Sequence, residues 1–322
     1  MAKSNQFEQL DQAVQAMLVR PDARLVDLDP ALAPLLRVAA ELRDLPRPGF
    51  KEHLKADLQR RALVATTTVS FIPAGYRTIT PYLTVRDAAG LIDFVKQAFG
   101  AEERFRGTGG AGGIHCEVRI DDAMLMIGGG GKGQGTPMPT SLHLYVKDAD
   151  AVYQRALDAG AVSVQPPTDQ FYGDREAGVK DLAGNYWYIA TNKATGHMPE
   201  GVNTLMPFLH PKGADKVIDF LKRGLGAEEL QRSQSPEGVI QHAALKIGSS
   251  VIEMGEAHGE YQPMPTMFYL YIEDCDALYR RSLEAGGTSI SPPTDHDYGD
   301  RSAAVQDPFG NQWYLATHVK DV

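Results

Sequence analysis

Two histidines stand at the same place in two related segments. His115 lies in GIHCEVRI and His242 in VIQHAALKI. An imidazole titrates at about pH 6.5, so either side chain could give or take a proton near neutrality. The alternative is a histidine hydrogen-bonded at the rim of a pocket. A second set recurs in the phrase YGDR, where Tyr172, Asp174 and Arg175 match Tyr298, Asp300 and Arg301. A guanidinium at a strand start could clamp a carboxylate or phosphonate with two hydrogen bonds, or could sit in an ion pair that fixes its loop. Cys116 and Cys275 occupy unrelated positions, which implies neither a disulfide framework nor a zinc knuckle.

The elements that must carry these groups come in duplicate. Residues 166–191 and 292–317 are identical at 17 of 26 positions, at a shift of 126 residues. Solenoid units repeat at about 20–50 residues, whereas single domains cluster at about 100–150. The period therefore marks a duplicated domain, and we assign 76–193 and 201–318 to the two copies. Residues 1–70 form a leader and linker. FEQLDQAVQAMLV, ALAPLLRVAAELRDL and FKEHLKADLQRRALV have apolar residues at three- and four-residue spacing, as amphipathic helices do.

In the first copy, TPYLTV alternates as a strand, and AAGLIDFVKQAFGA follows as a helix closed by Gly100. EERFRG, GIHCEVRI and AMLMIGG are strands, with Asp121-Asp122 in the last hairpin. SLHLYV, the helix ADAVYQRALDAG and three more strands repeat the order. Each copy thus reads βαβββ twice, an α+β architecture. The intervening GGGGKGQG (128–135) lacks the GxxxxGK[ST] order and precedes a strand, so a flexible connection or lid is expected and not a phosphate cradle.

The chain of 322 residues carries a net charge of −9. Residues 1–62 hold 10 Lys/Arg and 9 Asp/Glu, so the repeats carry the acidity. That disfavours nucleic acid. It suits a cationic ligand or serves solubility alone. No stretch approaches the about 18–20 apolar residues of a membrane span, and MAKSNQFEQLDQ lacks the layout of a signal peptide. A cytoplasmic protein is expected, with a small molecule as partner. It would be a monomer with an internal pseudo-dimer, or a homodimer.

The doubled βαβββ order, closed each time by YGDR…DxxGNxWYxAT, resembles the vicinal oxygen chelate superfamily. This is the superfamily of glyoxalase I, bleomycin-resistance proteins, fosfomycin-resistance enzymes and extradiol dioxygenases. TPYLTVRDA and FVKQAFGAEE look most like the glyoxalase/bleomycin-resistance proteins of the PhnB-like kind, and the resemblance covers about 76–318. It implies two tandem domains, each of two βαβββ modules that curl into a cup. It also implies metal ligands on the first and last strand of each module. Those positions fall on Thr80, Met126, Ser141 and Tyr188, then on Met206, Glu253, Met267 and Tyr314.

Only Glu253 is a ligand type, and one carboxylate does not hold a divalent ion. No cofactor is therefore expected. The alternative is a divalent metal at a relocated site, built from His115, Glu117 and His143 or from His210, His242 and Glu253. Alternation from the same register turns Tyr82, His143, Tyr145, Phe208 and Tyr269 into the cups, and His115, Glu117 and His242 toward cup or solvent.

Trp187 and Trp313 are expected in the core. Gly184-Asn185 and Gly310-Asn311 read as turns, the first looser because Leu182-Ala183 replaces Pro308-Phe309. The resemblance implies lyase- or isomerase-type chemistry on a small organic substrate. His115 or His242 would act as acid–base, with Tyr188 or Tyr314 as donors. Tyr172, Arg175, Glu253, Tyr298 and Arg301 join the binding candidates. The other readings are a protein that sequesters a drug-like or cationic ligand, and a structural module with vestigial cups.

Overall fold

The computed structural model describes residues 69–321, except 111, 133–135 and 260. The expected helical leader lies outside the described residues, as do residues 133–135 of the glycine-rich segment. The first copy runs β1 (Ile79–Val85), α1 (Ala88–Phe99), β2 (Glu102–Thr108), β3 (Ile114–Ile120) and β4 (Ala123–Gly129). Then come β5 (Ser141–Tyr145), α2 (Ala149–Asp158), β6 (Val162–Asp169), β7 (Asp174–Lys180) and β8 (Tyr186–Asn192). The second copy runs β9 (Leu205–Leu209), α3 (Ala214–Leu225), β10 (Glu228–Gln234), β11 (Ile240–Ile247) and β12 (Ser250–Met254). It ends with β13 (Met267–Tyr271), α4 (Cys275–Glu284), β14 (Thr288–Asp295), β15 (Asp300–Gln306) and β16 (Gln312–His318). The doubled βαβββ order is present in both copies.

Local rules account for these elements. The Asp87 carboxylate caps α1 through the Gly90 N–H, and Gly100 ends it in the left-handed region, at φ 68°. Between them Leu91, Ile92, Phe94, Val95 and Phe99 form the buried stripe. In β3, Cys116, Val118 and Ile120 are buried on one face, leaving His115, Glu117 and Arg119 to the other.

The hydrophobic cores follow the repeats. One cluster joins α1 and α2 to strands of the first copy, the other joins α3 and α4 to strands of the second. Only Leu205 in the first cluster and Ile79 in the second come from the opposite copy. Trp187 and Trp313 are fully buried in these cores.

The sheets cut across the repeats. One has the order β14-β15-β16-β13-β1-β4-β3-β2, the other β10-β11-β12-β9-β5-β8-β7-β6. The first and fourth modules therefore share one curled sheet, the outer cup by chain order. The second and third modules share the inner cup. Both cups exist, but each takes one module from each copy.

The reason lies in the strand edges. β1 and β5 each have a parallel neighbour on one side, β4 and β8. Their other edges need cover. β13 covers β1, with Ile79 opposite Leu270, and β9 covers β5, with Leu144 opposite Leu205. Those two pairs are the same pair under the 126-residue shift, the signature of a self-complementary two-fold contact. Thr140 and Thr266, also 126 apart, meet hydroxyl to hydroxyl at 2.8 Å, buried.

The closing phrase of each copy is a turn lock. The Asp181 carboxylate accepts from Ala183 N, Asn185 N, Asn185 Nδ2 and Trp187 Nε1 at 2.8–2.9 Å. Asp307 does the same with Phe309, Asn311 and Trp313 at 2.8–3.0 Å. The looser first turn expected from Leu182-Ala183 is not found. The lock is made by backbone, amide and indole donors, so the side chains at those two positions do not enter it.

Candidate functional site

Regrouped by cup, the ligand-register positions of the inner cup are Ser141, Tyr188, Met206 and Glu253. Glu253 rises from β12 and is held from two sides. His143 on β5 places Nδ1 2.8 Å from Oε2, and His242 on β11 places Nε2 3.5 Å from Oε1. Burial would raise Glu253, but the two imidazoles overcome it and hold the carboxyl down at about 2. Burial likewise opposes the charge on His143, and the facing carboxylates, Glu253 first, still raise it above the ordinary imidazole range. Both shifts favour an imidazolium facing a carboxylate.

Behind it, Glu176 on β7 brings Oε2 to 3.7 Å from His143 Nε2, a nitrogen that is buried and has no hydrogen-bond partner. Burial raises Glu176. The His143 side chain is 8% exposed and that of His242 33%, so of the two it is His242 that reaches open space.

A ring cluster forms the other wall of this cup. Phe208 lies between His210 and His242, with ring centroids at 5.0 and 6.0 Å. His210 stacks on Tyr261 at 4.9 Å, and its Nε2 is 2.9 Å from the Tyr188 hydroxyl. Burial lowers His210 to about 4, so it is neutral at pH 7.

The outer cup is furnished differently. Its register positions are Thr80, Met126, Met267 and Tyr314, and it encloses a cavity of about 1500 Å³. Tyr82 and His115 share a hydrogen bond of 2.9 Å between Oη and Nδ1. His115 Nε2 lies 3.4 Å from Glu117, whose other oxygen accepts from the Tyr76 hydroxyl. Burial pushes Tyr82 up to about 12. Across the cup, Asp300 accepts from the Tyr269 hydroxyl at 3.0 Å and pairs with His318 Nδ1 at 2.8 Å. Met126, Met138, Met264 and Met267 complete much of the lining.

His143, Tyr145, Tyr188, Phe208, His242 and Glu253 belong to strands of the inner cup; Tyr145 donates to Asp174 at 2.7 Å. Tyr82, His115, Glu117, Tyr269, Tyr298 and Tyr314 line the outer cavity. The trio His115, Glu117 and His143 is not assembled, because its first two members and its third lie in different sheets. His210, His242 and Glu253 share a cup, but His210 is turned to Tyr188.

Arg175 is clamped by Asp150 with two bonds of 2.6 Å, and Asp169 lies at 3.3 Å. Arg301 is held by Asp276 at 2.6 and 2.8 Å and by Asp295 at 2.9 Å. Both guanidinium forks are already filled by strand-to-helix ion pairs, the second of the two readings the sequence left open. Tyr172 is half exposed and donates to Glu176 at 3.1 Å. Glu176 was not expected at the site, yet it had a signal. Asp174 and Glu176 alternate with the outward Arg175, so all three are fixed by one register. Tyr271 had the same alternation signal as its counterpart Tyr145, whereas Tyr76 and His318 stand outside the repeated phrases.

The residues at the family's ligand positions do not fit a metal. The outer cup offers a threonine, two methionines and a tyrosine there. In the inner cup the lone carboxylate is engaged by His143. Among the described residues no group of three or more His, Cys, Asp or Glu side chains is placed to hold an ion.

Residues 77–189 and 208–315 match the glyoxalase/bleomycin resistance protein/dioxygenase superfamily. The chain belongs to that superfamily. An uncharacterized protein of Mycobacterium bovis is 41% identical over 123 residues, 34% of this chain and 80% of that protein, a length close to one repeat. Among solved structures, glyoxalase I from Zea mays superposes with a TM-score of 0.59 at 14% identity, over 75% of this chain and 92% of that one. A putative dioxygenase from Bacillus subtilis gives 0.52 at 14% identity, over 78% and 87%. At these identities the likeness is one of fold. No helix among the described residues is long and apolar enough to cross a membrane.

Proposed function

We propose that the protein is an enzyme that moves protons on a small organic substrate in the inner cup, without the metal set of its superfamily. The observation that carries this is Glu253 held between His143 and His242. His242 reaches open space and meets the substrate as acid or base. Glu253 orients it, as a carboxylate does behind a catalytic imidazole. His143 keeps Glu253 ionised from the buried side. The Tyr188 hydroxyl, bonded to a neutral His210, supplies a second donor. Proton transfer of this kind serves lyase or isomerase chemistry, in keeping with the fold shared with a glyoxalase I. The protein would act in the cytoplasm, as a monomer with an internal pseudo-dimer or as a homodimer.

The test is to incubate the protein with a metabolite extract and follow each compound by mass spectrometry. A compound consumed by the unaltered protein and spared by Glu253→Gln and His242→Gln supports the reading. Ligands that bind and return unchanged overturn it in favour of sequestration. That second reading draws on the outer cavity, whose size exceeds the about 300–1,000 Å³ of ordinary ligand pockets.

A further inference from the structure

The outer cavity has a composition of its own. Tyrosine rings run continuously along one wall. Tyr76 meets Tyr271 edge-on at 5.4 Å, Tyr271 meets Tyr269 at 5.1 Å, and Tyr269 lies nearly parallel to Tyr314 at 6.4 Å. Two carboxylates flank this run, Glu117 at its Tyr76 end and Asp300 beside Tyr269. None of the described residues that line the cavity is Lys or Arg. Three histidines line it as well. His318 is shared by two carboxylates, Asp300 and Asp321, at 2.8 and 3.0 Å. His115 is spanned by Tyr82 and Glu117. His296 stacks on the Tyr298 ring at 4.8 Å.

Ring faces carry negative quadrupole charge and attract cations within about 6 Å of their centroids. Carboxylates add to that attraction and repel anions. Methionine thioethers supply a soft apolar floor that adapts to ligand shape. We infer that the outer cup is a binding site for an organic cation, a quaternary or protonated amine on an apolar body, separate from the proton-transfer site of the inner cup. Its ammonium group sits against the tyrosine wall between Glu117 and Asp300, and its apolar body lies on Met126 and Met267. The inner cup cannot offer this arrangement, because Ala244 stands where the outer cup has Glu117, and Phe208 where it has Tyr82.

The test uses three probes with one body and three charges. These are (4-hydroxyphenyl)trimethylammonium, its neutral isostere 4-tert-butylphenol, and 4-hydroxybenzenesulfonate, each titrated calorimetrically into the whole protein at pH 7. The cation is expected to bind at least about tenfold more tightly than the neutral isostere, with the sulfonate weakest. Glu117→Gln should weaken the cation about tenfold and leave the neutral probe unchanged. Tyr314→Leu should weaken the cation, and thermal unfolding will show whether that variant is folded.

Equal affinity for cation and isostere in the unaltered protein overturns the inference, whatever the variants do. So does indifference to Glu117→Gln. Loss of cation binding in Glu253→Gln would put the ligand in the inner cup and overturn it as well. The proton-transfer reading fails by a different result, turnover that survives Glu253→Gln, so the two stand or fall separately.

Discussion

The two cups have the same strands and opposite furnishings. Four titratable groups of the inner cup have inert or weaker counterparts in the outer one. Glu253 corresponds to Met126, His143 to Tyr269, Glu176 to Ser302 and His210 to Thr84. In the other direction, Glu117 and Tyr82 of the outer cup correspond to Ala244 and Phe208. Some groups are kept in both, the histidines His115 and His242 and the tyrosines Tyr188 and Tyr314. Duplication supplied two equal scaffolds, and the difference in cup residues separates a compact acid–base cluster from a large tyrosine-walled cavity. What stayed equal is what holds the strands: the Asp181 and Asp307 locks, the buried tryptophans and the ion pairs of Arg175 and Arg301.

The comparison can be broken first at the scaffold. Asp181→Ala and Asp307→Ala each strand four donors around a buried turn. Each should cost about 3–5 kcal/mol by chemical denaturation, and the two costs should agree within about 1 kcal/mol. A large inequality would mean the repeats are not equivalent even as scaffold.

The inner cup should be more sensitive than the outer to removal of its register residue. Glu253→Leu leaves His143 without its carboxylate and should destabilise by up to about 3 kcal/mol, softened because His143 can shed its proton. Met126→Leu, the corresponding change in the outer cup, conserves apolar volume and should cost under about 1.5 kcal/mol.

The pH dependence should carry the same asymmetry. His143 is raised in the folded state, so its contribution is fully present below about pH 6.5, the unfolded value, and is lost as pH rises through the folded value. Glu253 is depressed, so its contribution is present above about pH 4.5 and is lost as pH falls toward about 2. The stability lost in His143→Gln should therefore be greatest between about pH 4.5 and 6.5 and shrink at higher pH. Thermal unfolding from pH 5 to 9 reads this directly, and a pH-independent difference would remove the ion pair from the account. The smallest effect is at the two-fold contact. Thr140→Val leaves the Thr266 hydroxyl its bond to the Met264 carbonyl and should cost about 1 kcal/mol.

Much of this was legible from the residues. The alternation in GIHCEVRI set His115 and Glu117 apart from the core, and the 126-residue period marked the units that close hydrophobic cores. The partnership of the modules was not legible. The free edges of β1 and β5 are both short apolar runs, and nothing local says whether they pair with each other or across the copies. That single choice of partner decides that His143 meets Glu253 and not His115. The role of the YGDR arginines was equally hidden, because it depends on Asp150 and Asp276, which lie 25 residues earlier at the starts of α2 and α4.

The central claim is that a buried imidazolium–carboxylate pair distinguishes the inner cup. It is tested most directly by NMR titration of the histidine side chains in the unaltered protein and in Glu253→Gln. The account predicts that His143 titrates above the ordinary imidazole range and drops when Glu253 is neutralised, while His210 stays neutral down to about pH 4. A His143 that titrates at or below about 6.5, and does not move in Glu253→Gln, would contradict it.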